Sequence, residues 1–331
     1  MSATRPNGTS GADGADGAVV RTLDLVHVPG FGTEDVLVGT QGPDEGAVFT
    51  GTEDGALLRI SHDGRRVTRV GHTAGRPLGL EHLPDGRLLV CDARRGLLAV
   101  DLAGDRVETL VREVDGTPMR FCNNAAVAPD GTIFFSDSSL RHGIDEWKHE
   151  MVRLTRTGRL LRRSPDGTVE VLLDDLGFAN GVALAPDGSW VAVAETALRT
   201  VVRLWLTGPR AGERDLLADD LPGYPDNIAT GSDGLVWIAV ASPADPLVTR
   251  MQHAPHWVRR AATALPDRLQ PAPRRTVRAV ALDADGAVVH DLEVRDPATR
   301  AQFHMVTGVR EHEGRVWLGS LHEGSVARVD L

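Results

Sequence analysis

The stretch FCNNAAVAPDG at residues 121–131 joins a polar side chain, a short apolar run and an Asp-Gly turn, and this phrase recurs along the chain. It returns as FANGVALAPDG at 178–188 and as YPDNIATGSDG at 224–234. Equivalent positions of a cyclic repeat surround one axis, so polar side chains at one such position converge. In the three copies the residues seven places before the Asp-Gly aspartate are Asn123, Asn180 and Asp226.

Asp-Gly turns between short apolar runs occur over most of the chain, as at Asp63-Gly64, Asp85-Gly86 and Asp285-Gly286. Such a pair between strands is the strongest short-range hairpin signal. Each turn belongs to a unit of four short strands, and units repeated at this spacing are typical of propeller blades. The sequence therefore predicts an all-β protein, a six-bladed β-propeller with blades at about 34–72, 76–114, 120–175, 178–220, 224–295 and 303–331.

The two ends of the chain are predicted to close the ring. The last unit stops after its third strand, and the apolar stretch VVRTLDLVHV at 19–28 supplies a missing outer strand. This closure removes an open sheet edge. Residues 1–17 are rich in Gly, Asp, Ala, Ser and Thr, which predicts a disordered tail, and residues 18–331 form a single propeller domain.

Two insertions interrupt the repeat, at about 140–151 and 243–275, and the second contains the helix-like MQHAPHWVRRAATAL. Both follow the second strand of their blades, so we expect helical insertions on one face of the propeller. From the sequence, a cover over the axial opening and a surface decoration without a role in binding are equally good readings of this pair.

Composition excludes several classes of function. The net charge of −10 over 331 residues argues against a nucleic-acid backbone as partner, and no apolar run reaches the length of a membrane span. The N-terminus has no apolar core of a signal peptide, so the cytoplasm is the expected location. Cys91 and Cys122 lie in apolar strand-like contexts and are predicted to be buried free thiols.

Several longer phrases resemble the strictosidine synthase-like family, within the wider superfamily of gluconolactonases, paraoxonases and strictosidine synthase. They include FCNNAAVAPDGTIFFSDSS at 121–139, LPGYPDNI at 221–228 and VWLGSLHEGSVARV at 316–329. The resemblance covers about residues 30–331 and implies a six-bladed propeller. It also implies a divalent cation on the axis, most often Ca²⁺, held by Glu, Asn and Asp side chains.

The resemblance nominates a set of cation ligands in this chain. The FCNN, FANGV and YPDNI phrases match family ligand positions, and GTEDVLV at 32–38 matches the start of the first blade. Glu45, in GPDEGAVFTG, is the alternative acid, but Glu34 precedes an innermost strand as the other ligands do. Oxygen donors without Cys or His suit Ca²⁺, Mg²⁺ or Mn²⁺. The predicted metal ligands are Glu34, Asn123, Asn180, Asp226 and Asn227.

Further residues are candidates for catalysis or substrate binding. Asp226 is the leading general base, and His304 and His72 lie in loops expected near the cavity mouth. Arg76 is a candidate contact for a substrate carboxylate or phosphate, with a structural salt bridge as the alternative. The glutamate that strictosidine synthase uses to deprotonate its amine corresponds to Gly308, and Glu311 matches a second, non-catalytic acid. Amine condensation is therefore not expected.

Three functions remain open from the sequence. The first is a metal-dependent hydrolase of a small, apolar lactone or aryl ester, in which the cation acts as Lewis acid. The second is a tailoring enzyme of secondary metabolism that catalyses a cyclisation, dehydration or rearrangement. The third is a non-catalytic propeller that binds a partner, with Trp147 and Trp257 in its surface. The expected partner is a small-molecule substrate rather than nucleic acid or membrane, and the expected state is a monomer or weak homo-oligomer.

Overall fold

The structure is a computed structural model, and it describes residues 19–20, 22–40, 42–103, 106–266, 270 and 272–331. The predicted disordered tail, residues 1–17, lies outside the described residues. Strands form most of the regular structure, and they assemble into the predicted six blades around one axis. The all-β, six-bladed β-propeller is therefore confirmed.

Each blade is an antiparallel sheet whose first strand lies nearest the axis. Blade one contains Val36–Val38, Val48–Gly51, Ala56–Ile60 and Val67–His72. Blade two contains Pro77–His82, Leu88–Asp92, Gly96–Asp101 and Arg106–Val111. Blade three contains Cys122–Val127, Ile133–Asp137, Gly158–Arg163 and Val169–Leu176. A short hairpin of Glu113–Val114 and Thr117–Pro118 precedes blade three.

The second half of the chain repeats this arrangement. Blade four contains Ala179–Leu184, Trp190–Glu195, Thr200–Trp205 and Arg214–Ala218. Blade five contains Gly223–Thr230, Val236–Pro243, Arg278–Leu282 and Val288–Val294. Blade six contains Val306–His312, Arg315–Ser320 and Ser325–Asp330, and its fourth strand is Asp24–His27.

The N-terminal segment closes the ring as predicted. Asp24–His27 pairs antiparallel with Ser325–Asp330, so the outermost strand of blade six comes from the other end of the chain. Val19–Val20 pairs in parallel with the outer strand of blade five, Val288–Val294. The sequence did not indicate this parallel pairing. One N-terminal segment therefore joins the two last blades.

Four short helices are added to the blades. Helix α1 is Trp147–Arg153, and a 3₁₀ turn at Ile144–Glu146 precedes it. Helices α2, Pro246–Gln252, and α3, His256–Thr263, lie in the second insertion, and α4, Pro297–Gln302, precedes blade six. A second 3₁₀ turn, Gly42–Asp44, lies in blade one. No helix in the described part of the chain combines the length and the apolar composition that crossing a membrane requires.

The two insertions pack on each other. Helix α1 contacts both α2 and α3, and we call these three helices the lid. Gln252 Nε2 donates to the Met151 carbonyl oxygen at 2.8 Å, and Arg153 Nε donates to Thr263 Oγ1 at 2.8 Å. The predicted position of the helical insertions on one face is confirmed.

Apolar side chains fill the space between neighbouring blades. Trp190 of blade four packs with Ile228 and Val280 of blade five, and all three are buried. The core continues between the other blades in the same way because strand side chains alternate between two faces. Cys91 and Cys122 are buried free thiols between blades two and three, as predicted.

Close packing at the axis depends on an alternation in the inner strands. We call the residue that aligns with Asn123 the first position of the repeated phrase and the next residue the second position. At the second position, three blades have a buried Asp or Asn and the three blades between them have glycine. A side chain on any of these glycines would overlap the backbone of the neighbouring blade. The alternating residues, in chain order, are Asp35, Gly79, Asn124, Gly181, Asn227 and Gly308.

The polar members of this alternation also join blades by hydrogen bonds. Asp35 Oδ2 accepts from Leu80 N at 2.9 Å, which joins blade one to blade two. Asn124 Oδ1 accepts from Val182 N at 2.9 Å, which joins blade three to blade four. These buried acceptors satisfy backbone donors that face the axis rather than a strand partner.

The substitution Gly181→Ala tests this close packing. A Cβ at Gly181 would lie 2.6 Å from Asn227 Cα, so the inner strands of blades four and five must separate. We expect the free energy of unfolding to fall by about 1–3 kcal/mol, the usual cost of overpacking. Gly143→Ala is the control, because its Cβ would meet nothing nearer than the Arg120 carbonyl oxygen at 3.5 Å. Equal stability of the two variants in denaturant titrations would contradict this packing.

Candidate metal centre

The first position of the repeated phrase faces a cavity on the axis in all six blades. Its members in chain order are Glu34, Leu78, Asn123, Asn180, Asp226 and Thr307, and each lines this cavity. The side chains that the repeat predicted to converge therefore do so, and Glu34 joins them. Thr307 Oγ1 donates to the Glu34 carbonyl oxygen at 2.8 Å and holds the start of blade one against blade six.

Three asparagine side chains present oxygens that have no hydrogen-bond partner. The Oδ1 atoms of Asn123, Asn180 and Asn227 are all buried and unpaired. Their amide nitrogens are occupied, since Asn123 Nδ2 donates to Ser138 Oγ at 2.9 Å and Asn227 Nδ2 donates to Glu34 Oε1 at 3.2 Å. The Asn180 side chain is hydrogen-bonded to the Asp226 carboxylate. An unpaired buried acceptor costs free energy, so these three oxygens fit a cation as their partner.

The carboxylates at the base of the cavity lack sufficient positive charge around them. Burial, together with the charges of Asp226 and Asp35, raises the pKa of Glu34 well above its usual value. Burial raises the pKa of Asp226 to about 7, against the opposing hydrogen bond from Asn180. Burial likewise raises the pKa of Asp35 to about 6, although the Arg310 guanidinium opposes this. A dication beside Glu34 and Asp226 would remove this electrostatic penalty.

The donor set fits a hard divalent cation. It consists of two carboxylates and three amide oxygens, and it contains neither thiolate nor imidazole, which suits Ca²⁺, Mg²⁺ or Mn²⁺. The residues present therefore fit the cation that the sequence predicted. Asn227 differs from the other donors because it belongs to the second position of the phrase and contacts Glu34 directly. The identity of the ion stays a prediction.

Two residues proposed from the sequence lie away from the cavity. Glu45 is exposed in the turn that follows the inner strand of blade one, whereas Glu34 is buried at the axis, so the structure brings Glu34 and not Glu45 to the other donors. Arg76 is also buried and does not reach the cavity, because its Nη1 donates to the Gly32 carbonyl oxygen at 2.9 Å. Arg76 supports the loop before Glu34, and its charge opposes the rise in the Glu34 pKa.

The two candidate histidines are likewise outside the described lining of the cavity. His72 ends the outer strand of blade one, and its Nδ1 accepts from Ala74 N at 2.9 Å. His304 lies next to the lining residue Met305, but its Nδ1 is 2.5 Å from Glu323 Oε1. Each imidazole therefore has a local structural partner rather than a position beside the axial carboxylates.

The upper part of the cavity is apolar, and sequence reasoning missed its residues. The cavity has a volume of about 370 Å³, and the lid closes part of it through Trp147 and Met151. An aromatic residue two places before each repeated polar residue also lines it, a signal that FCNN, FAN and YPD contained. These aromatic side chains are Phe121, Phe178 and Tyr224.

The position that corresponds to the strictosidine synthase glutamate has no room for a side chain. A Cβ at Gly308 would lie 2.7 Å from both Asp35 Cα and the Glu34 carbonyl oxygen. Glu311 is buried at the opposite end of the same strand, where its carboxylate accepts from Ser232 Oγ at 3.0 Å and Gly314 N at 2.8 Å. Neither residue offers a base for amine condensation at this place, and the expectation that the protein does not catalyse this reaction stays a prediction.

Comparison with known proteins identifies the family. The SMP-30/gluconolactonase/LRE-like region matches residues 47–254. The chain belongs to this family. Strictosidine synthase-like 10 from Arabidopsis thaliana is 36% identical over 263 residues, which cover 76% of this chain and 68% of the relative. Adipocyte plasma membrane-associated protein from Danio rerio is 32% identical over 327 residues, which cover 90% of this chain and 77% of the relative.

Several solved structures share the fold of this chain at low sequence identity. A gluconolactonase from Xanthomonas campestris superposes with a TM-score of 0.66 at 16% identity, over 93% of this chain and 89% of that chain. Regucalcin from Agrobacterium tumefaciens, described as a calcium-binding protein, superposes with a TM-score of 0.64 at 14% identity, over 94% of this chain and 95% of that chain. These likenesses confirm the propeller fold, and the family model and the relatives above confirm the predicted resemblance.

Cation binding is the direct test of the axial donors. We expect EDTA-treated protein to bind one Ca²⁺ per chain in calorimetry, and a free concentration 100 times the Kd to add about 2.7 kcal/mol of stability. Asn180→Ala and Asp226→Asn should weaken or abolish both effects, because the first removes an oxygen donor and the second replaces a negatively charged carboxylate by a neutral amide. Glu45→Gln is the matched control and should bind normally. Identical melting with and without EDTA in the unsubstituted protein would reject the site.

Proposed function

We propose that this protein is a metal-dependent hydrolase of apolar lactones or aryl esters. The observation that carries the proposal is the position of Glu34, Asp226 and three unpaired amide oxygens at the base of an apolar cavity. The membership of the family supports hydrolysis, since a structural neighbour is a gluconolactonase. We propose Ca²⁺ as the ion because all the donors are oxygens.

In this proposal, residues at the base of the cavity act on the ester group, and residues of its wall orient the substrate. A bound dication supplies Lewis-acid polarisation of a carbonyl group and lowers the pKa of water. Asp226 reaches the cavity and is the proposed general base, with its carboxylate oriented by the hydrogen bond from Asn180. Glu34 is held by Asn227 and Thr307 and contributes the second negative charge.

The cavity wall orients the substrate. Phe121 and Phe178 pack with their rings 5.6 Å apart, and Met151 and Trp147 of the lid face the same space. An apolar ring or chain of the substrate would occupy this region, while its ester group meets the oxygen donors below. Exclusion of water by the lid strengthens electrostatic interactions at the ester.

Substitution of Asp226 tests the proposed chemistry. We expect Asp226→Asn to lower kcat for γ- and δ-lactones or aryl acetates by about 100-fold or more, because it removes the proposed base and also weakens binding of the cation. His72→Gln and His304→Gln are controls and should retain activity, since neither imidazole lines the cavity. Hydrolysis that survives the combined loss of Asn180 and Asp226 would reject this mechanism. Cation binding without hydrolysis of any ester would favour the tailoring enzyme or the binding module.

The apolar wall predicts a dependence on substrate length. Each methylene group buried against it contributes about 0.8 kcal/mol, so kcat/KM should rise about fourfold per carbon in a series of alkyl-substituted γ-lactones. The rise should stop when the chain fills the cavity of about 370 Å³. Met151→Ala enlarges the cavity and should move this limit to a longer chain. A rate independent of chain length would place the substrate elsewhere.

We further propose that the substrate is a small molecule and that the protein is cytoplasmic. The proposed state is a monomer or weak homo-oligomer. The net charge of −10 gives no basis for nucleic-acid binding. One relative is named as a plasma membrane-associated protein. Cell fractionation of the full chain tests the location, and light scattering tests the oligomeric state.

A further inference from the structure

A second cluster of metal-ligating side chains lies in the first insertion. It consists of His142, Glu146 and His149 in HGIDEWKH at 142–149, and one ligating atom of each lies within 4.8 Å of the others. Among the described residues that line the axial cavity, Trp147 and Lys148 are present and these three are not. The cluster is therefore separate from the axial centre.

The distances from each imidazole to the carboxylate are compatible with a shared ion. His142 Nδ1 is 3.3 Å from Glu146 Oε2, and His149 Nδ1 is 3.4 Å from Glu146 Oε1. Ligand atoms about 2.0–2.1 Å from a tetrahedral Zn²⁺ lie about 3.3 Å from one another. The ligating atoms of all three side chains lie within 4.8 Å of one another, so side-chain rotations could bring them around one ion.

The hydrogen bonding of His149 provides independent support. Its Nε2 donates to the Thr263 carbonyl oxygen at 2.9 Å, which leaves Nδ1 with a free lone pair in the neutral ring. This Nδ1 is buried and has no hydrogen-bond partner, and it faces the Glu146 carboxylate. Metal-bound histidines commonly donate their other N–H to a backbone carbonyl in this way.

A buried network fixes the backbone around the cluster. Ser139 Oγ accepts from His142 N at 3.1 Å and donates to Glu150 Oε2 at 2.7 Å. Thr155 N donates to Glu150 Oε1 at 3.1 Å, and the Glu150 side chain is fully buried. Residues on both sides of Glu146 are thus positioned before any ion binds, which favours a preformed site.

We propose that His142, Glu146 and His149 form a zinc site that fixes the lid. Two imidazoles and one carboxylate suit Zn²⁺ and not Ca²⁺, so the ion differs from that of the axial centre. Glu146 is half exposed, which leaves the fourth position open to water. His149 and Arg153 both bind Thr263 at the end of α3, so an ion on α1 stabilises the contact between the two insertions. This site does not depend on the proposed hydrolysis.

Titration of the full chain with Zn²⁺ tests the site. EDTA-treated protein is first saturated with Ca²⁺, and Zn²⁺ is then added in a calorimeter. We expect one Zn²⁺ per chain, and affinity reduced at least about tenfold in Glu146→Gln and in His149→Gln. His256→Gln, an exposed histidine on α3, is the matched control and should bind normally. Melting of the metal-free proteins checks that the variants fold.

Co²⁺ provides a second measurement, because a tetrahedral site gives strong visible absorption that Zn²⁺ then removes. This absorption should be present in Asp226→Asn and absent in Glu146→Gln. A histidinium–carboxylate ion pair without a metal is the competing explanation for the cluster. Failure to bind Zn²⁺, unchanged affinity in both ligand variants, or binding lost in Asp226→Asn would each overturn the proposal.

Discussion

Close approach of six inner strands around one axis is the constraint on which the rest of this structure depends. The strands approach this closely because glycine alternates with Asp or Asn at one repeat position. Gly79, Gly181 and Gly308 leave space that the backbone of a neighbouring blade occupies. Two of the polar members between them, Asp35 and Asn124, accept backbone hydrogen bonds from the next blade. The close packing of the strands and the hydrogen bonding of buried polar groups therefore depend on the same repeat position.

The close approach of the inner strands also brings together the side chains one residue earlier in each blade, at the first position of the phrase. Side chains at that position lie close together, so carboxylates and amides from blades one, three, four and five line one cavity. Their amide nitrogens hydrogen-bond within the protein, and their oxygens remain unpaired at the centre. The cation that we propose would compensate the charge and the unpaired acceptors together. Binding of such an ion to the folded chain would add its free energy to the stability of the fold.

The lid adds a different kind of constraint. Its helices are short, and isolated helices of this length are marginal in water, so contacts between the insertions must stabilise them. Thr263 receives two such contacts, from His149 and Arg153. The apolar side chains of Trp147 and Met151 complete the cavity only while these contacts hold. In the functions proposed above, the axial centre would act on the ester and the lid cluster would stabilise the cover.

The sequence by itself determined the blade count, the closure by residues 19–28 and the shared register of Asn123, Asn180 and Asp226. These features depend on local turn chemistry and strand periodicity, which repeat and so reinforce one another. Only the tertiary structure showed that Glu34, and not Glu45, lies with the other oxygen donors. It also showed that Arg76, His72 and His304 are not among the described residues that line the cavity. Placement of a single loop side chain depends on its neighbours in space, such as Gly32 for Arg76 and Glu323 for His304. Those neighbours are distant in sequence and leave no periodic pattern, so the packing of the chain alone decided them.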